Sequence, residues 1–382
     1  MSQAVITGYV RSPFTPAQRG QLARVRPDDL CAQVVAELVT KTKIDPNSIE
    51  ELIVGCAFPE GEQGLNLARL VALLAGLPQS VGGTTVNRFC GSSMQAIHNA
   101  AGAIALGAGD VFVCAGVESM TRVPMMGFNP MPNAAMLGVA PGAYMGMGET
   151  AENVAERFSV SRVKQEMFAV TSHAKAHAAQ VAGRYAEEIL PIVAGAEIQP
   201  PIASLDGCIR EATSSATLAG LKPAFSAQGS VTAGTSSPLT DGAVAVLVTS
   251  AEFAVRHDLP IMARIAAIAG AGCEPEIMGM GPVRATRKAL ARANLKIADI
   301  DIVELNEAFA SQALACIAEL GLDPARVNLD GGAIALGHPL GATGARITAK
   351  AAQLLVRENK RFALAAQCIG GGQGIATILE RG

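Results

Sequence analysis

Bulky aromatic side chains and charge are both scarce in this chain. Its 382 residues include no tryptophan and only 4% aromatic residues, whereas 40 glycines point to close packing of small residues. Charged residues make up 16% of the chain, and the formal net charge is −3. Such a chain lacks the positive field that attracts nucleic acid, so we expect no nucleic-acid partner. Since half of the residues are hydrophobic, a large core is possible and bulk disorder is excluded.

Long apolar runs are missing as well. No stretch reaches the roughly 18 consecutive apolar residues of a membrane span. The first residues also lack a basic segment followed by an apolar one, which is the pattern of a secretory signal. The sequence therefore predicts a cytoplasmic protein that does not bind a membrane.

Closely spaced cysteines, a common sign of a bound metal, are absent. The eight cysteines are scattered without a CxxC pair, which is typical of a reducing compartment where most cysteines are small buried hydrophobic residues. Of the five histidines, His173 and His177 lie one helical turn apart. Alanines surround them, so a solvated helix face is favoured over a metal site. We expect no metal.

One pattern occurs twice, with an offset of about 250 residues. Residues 43–58 and 296–309 each follow an amphipathic helix, pass Lys-Ile and an acidic turn, and enter an apolar strand. Residues 83–117 and 327–369 then each run through strand, turn, helix and strand. The repeat predicts two similar α/β halves.

A further apolar strand, 241–248 in one half and 374–380 in the other, closes each copy. Strands this apolar need helices on both faces of their sheet. We predict an N-terminal half at 1–118 plus 241–265, an inserted loop domain at 119–240 and a C-terminal half at 266–382.

The insertion is rich in methionine. Seven of the 13 methionines fall between residues 120 and 147. Flexible thioethers pack adaptably against variable apolar ligands, although gap filling or an oligomer contact explains any single methionine equally well.

Two residues at equivalent strand-to-helix turns are candidates for the chemistry. Cys90 precedes a predicted helix, whose N-terminus favours a thiolate, and small residues follow it. His338 lies at the matching turn of the second half. If the halves pack face to face, the two turns meet, and a Cys–His pair is a common way to activate a thiol. A core cysteine and a structural histidine are the competing interpretations.

Two further candidates follow strands of the second half. Cys368 enters a run of glycines whose free backbone N–H groups can form an oxyanion hole. Asn306 stands at a strand exit, where its amide can orient water or a carbonyl group. A glycine run alone is more often a simple turn.

Together these segments resemble the thiolase family, and the resemblance spans essentially the whole chain. The matching motifs, in the family's order and spacing, are VNRFCGSSMQA (86–96), NEAFA (306–310), GGAIALGHPLGATGAR (331–346) and CIGGGQG (368–374). The family implies a five-layer αβαβα sandwich of two duplicated halves with an inserted loop domain that carries coenzyme A.

The resemblance also implies roles for the candidates. Cys90 is the acylated nucleophile, and His338 takes its proton and helps to bind the thioester oxygen, beside which Asn306 holds a water. Cys368 is the acid and base that protonates the leaving acetyl-CoA enolate and then deprotonates coenzyme A. The N–H groups of Cys90 and Gly370 form a second oxyanion hole. No metal or redox cofactor is implied, because coenzyme A is a substrate.

Matching positions in the loop domain and beside it predict contacts to acyl-CoA. These residues are Met147, Arg210, Leu221, Ala233, Ser237, Ala308 and Phe309. Arg210 matches a basic position near the nucleotide, although a surface ion pair is a serious competitor. Residues 191–207 look short beside the family's usual loop.

The family has several activities. Acetoacetyl-specific biosynthetic members carry His-Met-Gly where this chain has Gly146-Met147-Gly148. We therefore expect thiolytic cleavage of 3-ketoacyl-CoA, as in fatty-acid β-oxidation. Acetoacetyl-CoA and 3-oxoadipyl-CoA thiolases are the nearest alternatives. A carrier-protein synthase of the same superfamily, which lacks the second cysteine, and a non-catalytic acyl-CoA binding module are more distant ones.

The resemblance implies an assembly too. The family forms homodimers and homotetramers by pairing sheets across a twofold axis, and we expect 86–90 and 111–115 to be the interface strands. Some degradative bacterial members also bind a hydratase/dehydrogenase multienzyme partner.

Overall fold

A computed structural model describes residues 2–193 and 201–382. The ten strands of this part of the chain are β1 (Ala4–Arg11), β2 (Thr15–Pro16), β3 (Glu51–Gly55), β4 (Gly82–Val86), β5 (Val111–Ser119), β6 (Thr240–Ser250), β7 (Ala263–Gly272), β8 (Ile302–Leu305), β9 (Phe362–Ile369) and β10 (Gln373–Arg381). Its twelve α-helices are α1 (Pro27–Thr42), α2 (Leu67–Leu74), α3 (Ser92–Leu106), α4 (Met136–Val139), α5 (Met147–Arg157), α6 (Arg162–Val181), α7 (Ser215–Ala219), α8 (Ala251–Arg256), α9 (Gly281–Ala293), α10 (Ala310–Leu320), α11 (Ala333–Leu336) and α12 (Leu340–Arg357).

The strands confirm the predicted duplication. In the first half the order is β4-β3-β5-β6-β1, and in the second it is β8-β9-β10-β7. The pairs β3–β5 and β8–β9 are parallel. Strand β6 is antiparallel to β5 and β1 in the first half, and β10 is likewise antiparallel to β9 and β7 in the second. A parallel bridge from Val303 to Val327 takes the place of β4 in the second half. The sheets of the two halves are continuous, because β1 pairs with β7 through Val5 and Ile6, which lie opposite Arg264 and Ala263.

Helices cover both faces of each sheet and give the expected five layers. Helices α1 and α2 pack outside the first sheet, and α9 packs outside the second. Helices α3 and α12 form the middle layer, where they contact each other and the sheets. The core between the sheets is built from side chains such as Met94, Ile97, Ile347 and Leu354, all fully buried.

Small residues let the middle layer close tightly. A Cβ atom on Gly344 of α12 would lie 2.5 Å from the backbone nitrogen of Met94 in α3, and one on Gly55 of β3 would lie 2.3 Å from that of Ser93. Neither contact is tolerable for a larger residue. This packing brings the N-terminal ends of α3 and α12, and thus Cys90 and His338, to the same side of the molecule.

Three details differ from the sequence predictions. The offset of about 250 residues fails for β6 and β10, because the insertion precedes β6 but has no counterpart before β10. The proposed boundary at 265/266 falls inside β7, which pairs with β10 along its length, so we place the start of the second half at or before Ala263. The expected interface strand 111–115 belongs to β5, which is fully buried between β3 and β6; the free edge is β4.

The insertion between β5 and β6 contains α4 to α7 and rests on the second half, where α5 and α6 contact α10. Buried ion pairs tie it to both halves. Arg11 of β1 binds Glu188 and Asp206 of the insertion, and Lys350 of α12 binds Glu188 at 3.0 Å. Part of the stretch that looked short in the sequence, 194–200, lies outside the described residues. Within the described ranges, none of the helices combines the length and apolarity that crossing a bilayer requires.

Candidate active site

The turn between β4 and α3 presents Cys90. Its shape depends on Ser92, whose hydroxyl donates to the carbonyl of Phe89 and accepts from the N–H of Arg88 at 2.9 Å. Phe89 adopts a left-handed conformation with φ of 42°. The carbonyl of Cys90 accepts a hydrogen bond from the side chain of Gln367 in β9, so a strand of the second half fixes the turn of the first. Cys90 is left partly exposed.

The environment of Cys90 holds its thiol protonated. Burial raises its pKa to about 11, while a hydrogen bond from the N–H of Gly370 lowers it and the charge of Glu118 raises it further. The expectation that the helix N-terminus yields a thiolate is therefore wrong for the free protein. Desolvation of the sulfur raises the pKa of the thiol more than the helix N-terminus lowers it. A base must therefore take the proton when substrate binds.

His338 is placed to be that base. It is buried, and its backbone N–H donates to Thr240 at 3.0 Å. Its Nδ1 lies 2.7 Å from the hydroxyl oxygen of Thr343, which itself donates to the carbonyl of Pro339. Because that hydroxyl proton is committed, Nδ1 carries the ring proton and Nε2 is the free base. Burial, aided by Arg346, lowers the pKa of His338 to about 3, so the ring is neutral.

Asn306 directly follows β8, and its backbone N–H donates to Ala366 of β9. Its side-chain Nδ2 lies 3.3 Å from Nε2 of His338 and donates to it. Its Oδ1 is buried and has no hydrogen-bond partner among the described residues. The amide therefore orients the reactive nitrogen of His338 and has an acceptor free for a ligand or a water.

Cys368 and Gly370 complete the group of predicted catalytic residues. Cys368 lies near the end of β9, fully buried, and burial, followed by its interaction with Cys90, raises its pKa well above the usual range. The turn that follows uses Gly371 and Gly372 with φ of 80° and 84°, a conformation that favours glycine. The run of glycines thus aims the N–H of Gly370 at the sulfur of Cys90.

These residues surround one cavity of about 630 Å³. The predicted residues that line it are Cys90, Met147, Ser237, Ala308, Phe309, His338 and Cys368. Asn306 and Gly370 lie behind the lining and reach it through His338 and Cys90. Residues from both halves and from the insertion therefore converge, although they are far apart in sequence.

The apolar wall combines the insertion with the NEAFA segment. The N–H of Ser237 donates to the carbonyl of Ala308 at 3.0 Å, and the ring of Phe309 packs edge-on against Phe225. Met147 begins α5, and its sulfur would lie 3.3 Å from a Cβ atom on Gly370. The wall therefore reaches to the two cysteines.

Three predicted acyl-CoA contacts do not line this cavity. The side chain of Leu221 lies next to Gly234, the residue that follows Ala233 in the insertion. Arg210 is exposed, and its backbone N–H donates to Nδ1 of His173, which is buried and does not lie on the solvated helix face that the sequence predicted. They remain proposed contacts for a more distant part of a ligand.

Several lining residues were missed. They are Met120, Met125, Gly146, Gly148, Glu149, Ala224, Phe225, Ser236, Pro238, Leu239, Met278 and Leu340. The methionine-rich stretch was a usable signal for Met120 and Met125, since Met147 of that stretch also lines the cavity. Phe225 and Met278 come from segments without a motif, and only the tertiary fold brings them in.

Comparison with known proteins follows the same division of the chain. Residues 4–252 match the family model of the thiolase N-terminal domain, and residues 259–381 match that of the thiolase C-terminal domain. A 3-ketoacyl-CoA thiolase of Bacillus subtilis is 46% identical and one of Shewanella denitrificans is 49% identical, each over 100% of both chains.

A solved structure is similar as well. The crystal structure of the Bacillus anthracis acetyl-CoA acetyltransferase superposes with a TM-score of 0.92 at 38% identity, and the match covers 100% of this chain and 99% of that one. Two matching domain models, full-length relatives and a common fold agree with the cavity and its cysteines: the chain belongs to the thiolase family.

Proposed function

We propose that this protein is an acyltransferase that cleaves 3-ketoacyl-CoA with coenzyme A, giving acetyl-CoA and a shortened acyl-CoA. The observation that carries the proposal is the convergence of Cys90, His338 and Cys368 on one apolar cavity. The full-length relatives named 3-ketoacyl-CoA thiolase support the same activity.

The first half-reaction uses the neutral Cys90–His338 pair. Nε2 of His338 takes the thiol proton as the sulfur of Cys90 bonds to C3 of the substrate. The bond between C2 and C3 then breaks, and the electron pair leaves as the enolate of acetyl-CoA, which takes a proton from Cys368. The fragment that contains C3 stays on Cys90 as a thioester.

The second half-reaction returns every proton. The Cys368 thiolate takes the proton of incoming coenzyme A, and the new thiolate attacks the acyl carbon. Cys90 leaves and recovers its proton from His338. The N–H of Gly370 and the Asn306–His338 pair are the donors available to the negative oxygens that form on the way.

The decisive experiment replaces the nucleophile. Cys90→Ser is expected to abolish thiolysis of 3-oxooctanoyl-CoA while acyl-CoA binding, followed by calorimetry, largely persists. Cys273→Ser, a partly exposed cysteine outside the cavity lining, is the matched control and should keep activity. A wild-type protein that binds acyl-CoA but cleaves none would support a binding module instead.

Chain length separates the related activities. Gly146 stands where acetoacetyl-specific members of the family carry histidine, and the nearest atom to a Cβ there would be Oε2 of Glu149, at 3.5 Å. The absence of a side chain at this lining position favours longer acyl chains, as in fatty-acid β-oxidation. A preference for acetoacetyl-CoA over C8 to C16 substrates would exclude this assignment.

We further propose a cytoplasmic homodimer or homotetramer without a resident cofactor. The free edge of β4 is the candidate surface for sheet pairing between subunits, and a hydratase/dehydrogenase partner fits a degradative role. Light scattering of the purified protein tests the assembly.

A further inference from the structure

Glu118 is a buried carboxylate that the proposed reaction does not use. It stands near the end of β5 with 1% of its surface exposed, and it does not line the cavity. Its Oε2 accepts hydrogen bonds from the N–H groups of Ala57 and Gly341, both at 2.8 Å. Its Oε1 accepts from the side-chain amide of Gln63 at 2.9 Å and from the N–H of Phe58 at 3.3 Å. One oxygen therefore bridges two segments that are far apart in sequence.

The first segment is the turn after β3, which lies beside Cys90. Ala57 follows the end of β3 by two residues and is fully buried. Together with Met120 and Leu340 it forms an apolar cluster against which Cys90 packs. The hydrogen bond that holds Ala57 in place therefore also holds a part of the surroundings of the reactive sulfur.

The second segment is the start of α12, which follows His338. Gly341 is the second residue of that helix. A Cβ atom on it would lie 2.6 Å from the carbonyl oxygen of Val117 and 2.8 Å from that of Gly55, so the helix start rests directly on the ends of β5 and β3. A carboxylate at this point also complements the positive end of an 18-residue helix. Glu118 thus binds the helix end whose position sets that of His338.

We propose that Glu118 is a positioning residue for the cleavage of 3-ketoacyl-CoA. By binding the start of α12 and the turn after β3 at once, its carboxylate fixes the base His338 relative to the sulfur of Cys90. The inference rests on the proposed function, because it concerns the transfer of the thiol proton to Nε2 of His338. That transfer requires both groups to stay within hydrogen-bond reach, and a displacement of about 1 Å can slow such a step about a hundredfold.

Glu118→Gln tests the bridge. The amide keeps the size of the side chain but replaces one acceptor oxygen with a donor, which then faces N–H groups that also donate. We expect kcat for 3-oxooctanoyl-CoA to fall about 10- to 100-fold with KM within about threefold of wild type, because the base is displaced while the cavity lining is kept. Glu118→Asp keeps the charge but is one carbon too short to reach both segments, so it should show the same pattern.

The matched control is Glu188→Gln. Glu188 is likewise buried, and it binds Lys350 of the same helix at 3.0 Å, away from the start of that helix. Loss of this ion pair should destabilise the protein in denaturant unfolding, yet it should leave kcat within about twofold of wild type, because the start of α12 remains bound.

Alkylation separates positioning from a loosened fold. Iodoacetamide at about pH 9 reacts with the thiolate of Cys90 and does not need His338 as a base. In both Glu118 variants we expect Cys90 to be alkylated within about threefold of the wild-type rate, with buried Cys31 unlabelled.

Four results would overturn the inference and leave the proposed function standing. They are kcat retained in both Glu118 variants, an equal loss of kcat in Glu188→Gln, labelling of Cys31 in the Glu118 variants, and failure of both Glu118 variants to fold. A wild-type protein that does not cleave 3-oxooctanoyl-CoA would instead overturn the proposed function itself.

Discussion

Thr343 fixes the proton of His338. Its hydroxyl oxygen lies 2.7 Å from Nδ1 of the ring, and its hydroxyl proton goes to the carbonyl of Pro339 at 3.0 Å. Both residues belong to one helix start, so the geometry is set by local backbone. The hydrogen bond to Thr343 leaves Nε2 of His338 as the basic nitrogen, and this nitrogen faces the side chain of Asn306.

Thr343→Val should therefore reduce catalysis without reducing binding. Loss of the acceptor lets the ring rotate or change tautomer, and we expect kcat to fall about 10- to 100-fold with a KM within a few-fold of wild type. Thr343→Ser, which keeps the hydroxyl, is the control and should recover most of the rate. Equal losses in both variants would mean that packing, not the hydrogen bond, is the role of Thr343.

The pH dependence of kcat/KM tests the neutral state of His338. Burial lowers the pKa of its ring to about 3, so protonation removes the base only in strong acid. Burial likewise raises the pKa of Cys90 to about 11. We expect a plateau between about pH 5.5 and 8.5 in steady-state assays. An acid limb with a midpoint near the ordinary histidine pKa would contradict the assignment.

Alkylation with iodoacetamide tests the same sulfur in the absence of substrate. Cys90 and Cys273 are the two partly exposed cysteines, and Cys90 opens to a cavity. We expect Cys90 to be labelled first, slowly at neutral pH and about tenfold faster per pH unit up to pH 9, because the thiolate is the reactive form. Mass spectrometry that finds buried Cys31 or Cys316 labelled first would exclude this order.

The architecture could be predicted from the sequence because the duplication is visible in local sequence patterns. Apolar strands and the turns at Cys90 and His338 recur in both halves, and strands of this kind must be covered by helices. The same patterns do not show which residues of other segments cover a turn and bury its side chains. For that reason the helix N-terminus at Cys90 suggested a thiolate, whereas burial of the sulfur decides the opposite.

The wall of the cavity was harder to predict for a related reason. Phe225 and Met278 line it from segments without periodicity or motif, and their positions depend on how the insertion rests on the second half. Thr343 lies within the motif GGAIALGHPLGATGAR, but only the side-chain geometry shows its hydrogen bond to His338.

Buried ion pairs within the second half lead to a prediction on stability. Asp330 accepts from Arg357 at 2.6 Å and lies 2.9 Å from Lys350, whose side chain is 2% exposed. Burial alone would raise the pKa of Asp330, but hydrogen bonds and charges from Arg357 and Lys350 outweigh it and hold the pKa well below the usual range. Asp330→Asn should lower the free energy of unfolding by about 3 kcal/mol, because it leaves a buried cation short of its partner.

The effect of pH on that difference gives an independent check. A carboxyl whose pKa is lowered by folding stabilises the protein above its unfolded pKa, near 4, and the contribution is lost as pH falls toward the folded value. Denaturant unfolding should show the full difference at pH 7 and a smaller one below about pH 4. The control Glu319→Gln removes an exposed pair with Arg287, 3.6 Å apart, and should cost at most about 1 kcal/mol at either pH. A cost for Asp330→Asn no larger than for Glu319→Gln would show that the buried ion pairs of Asp330 stabilise the protein no more than an exposed pair does.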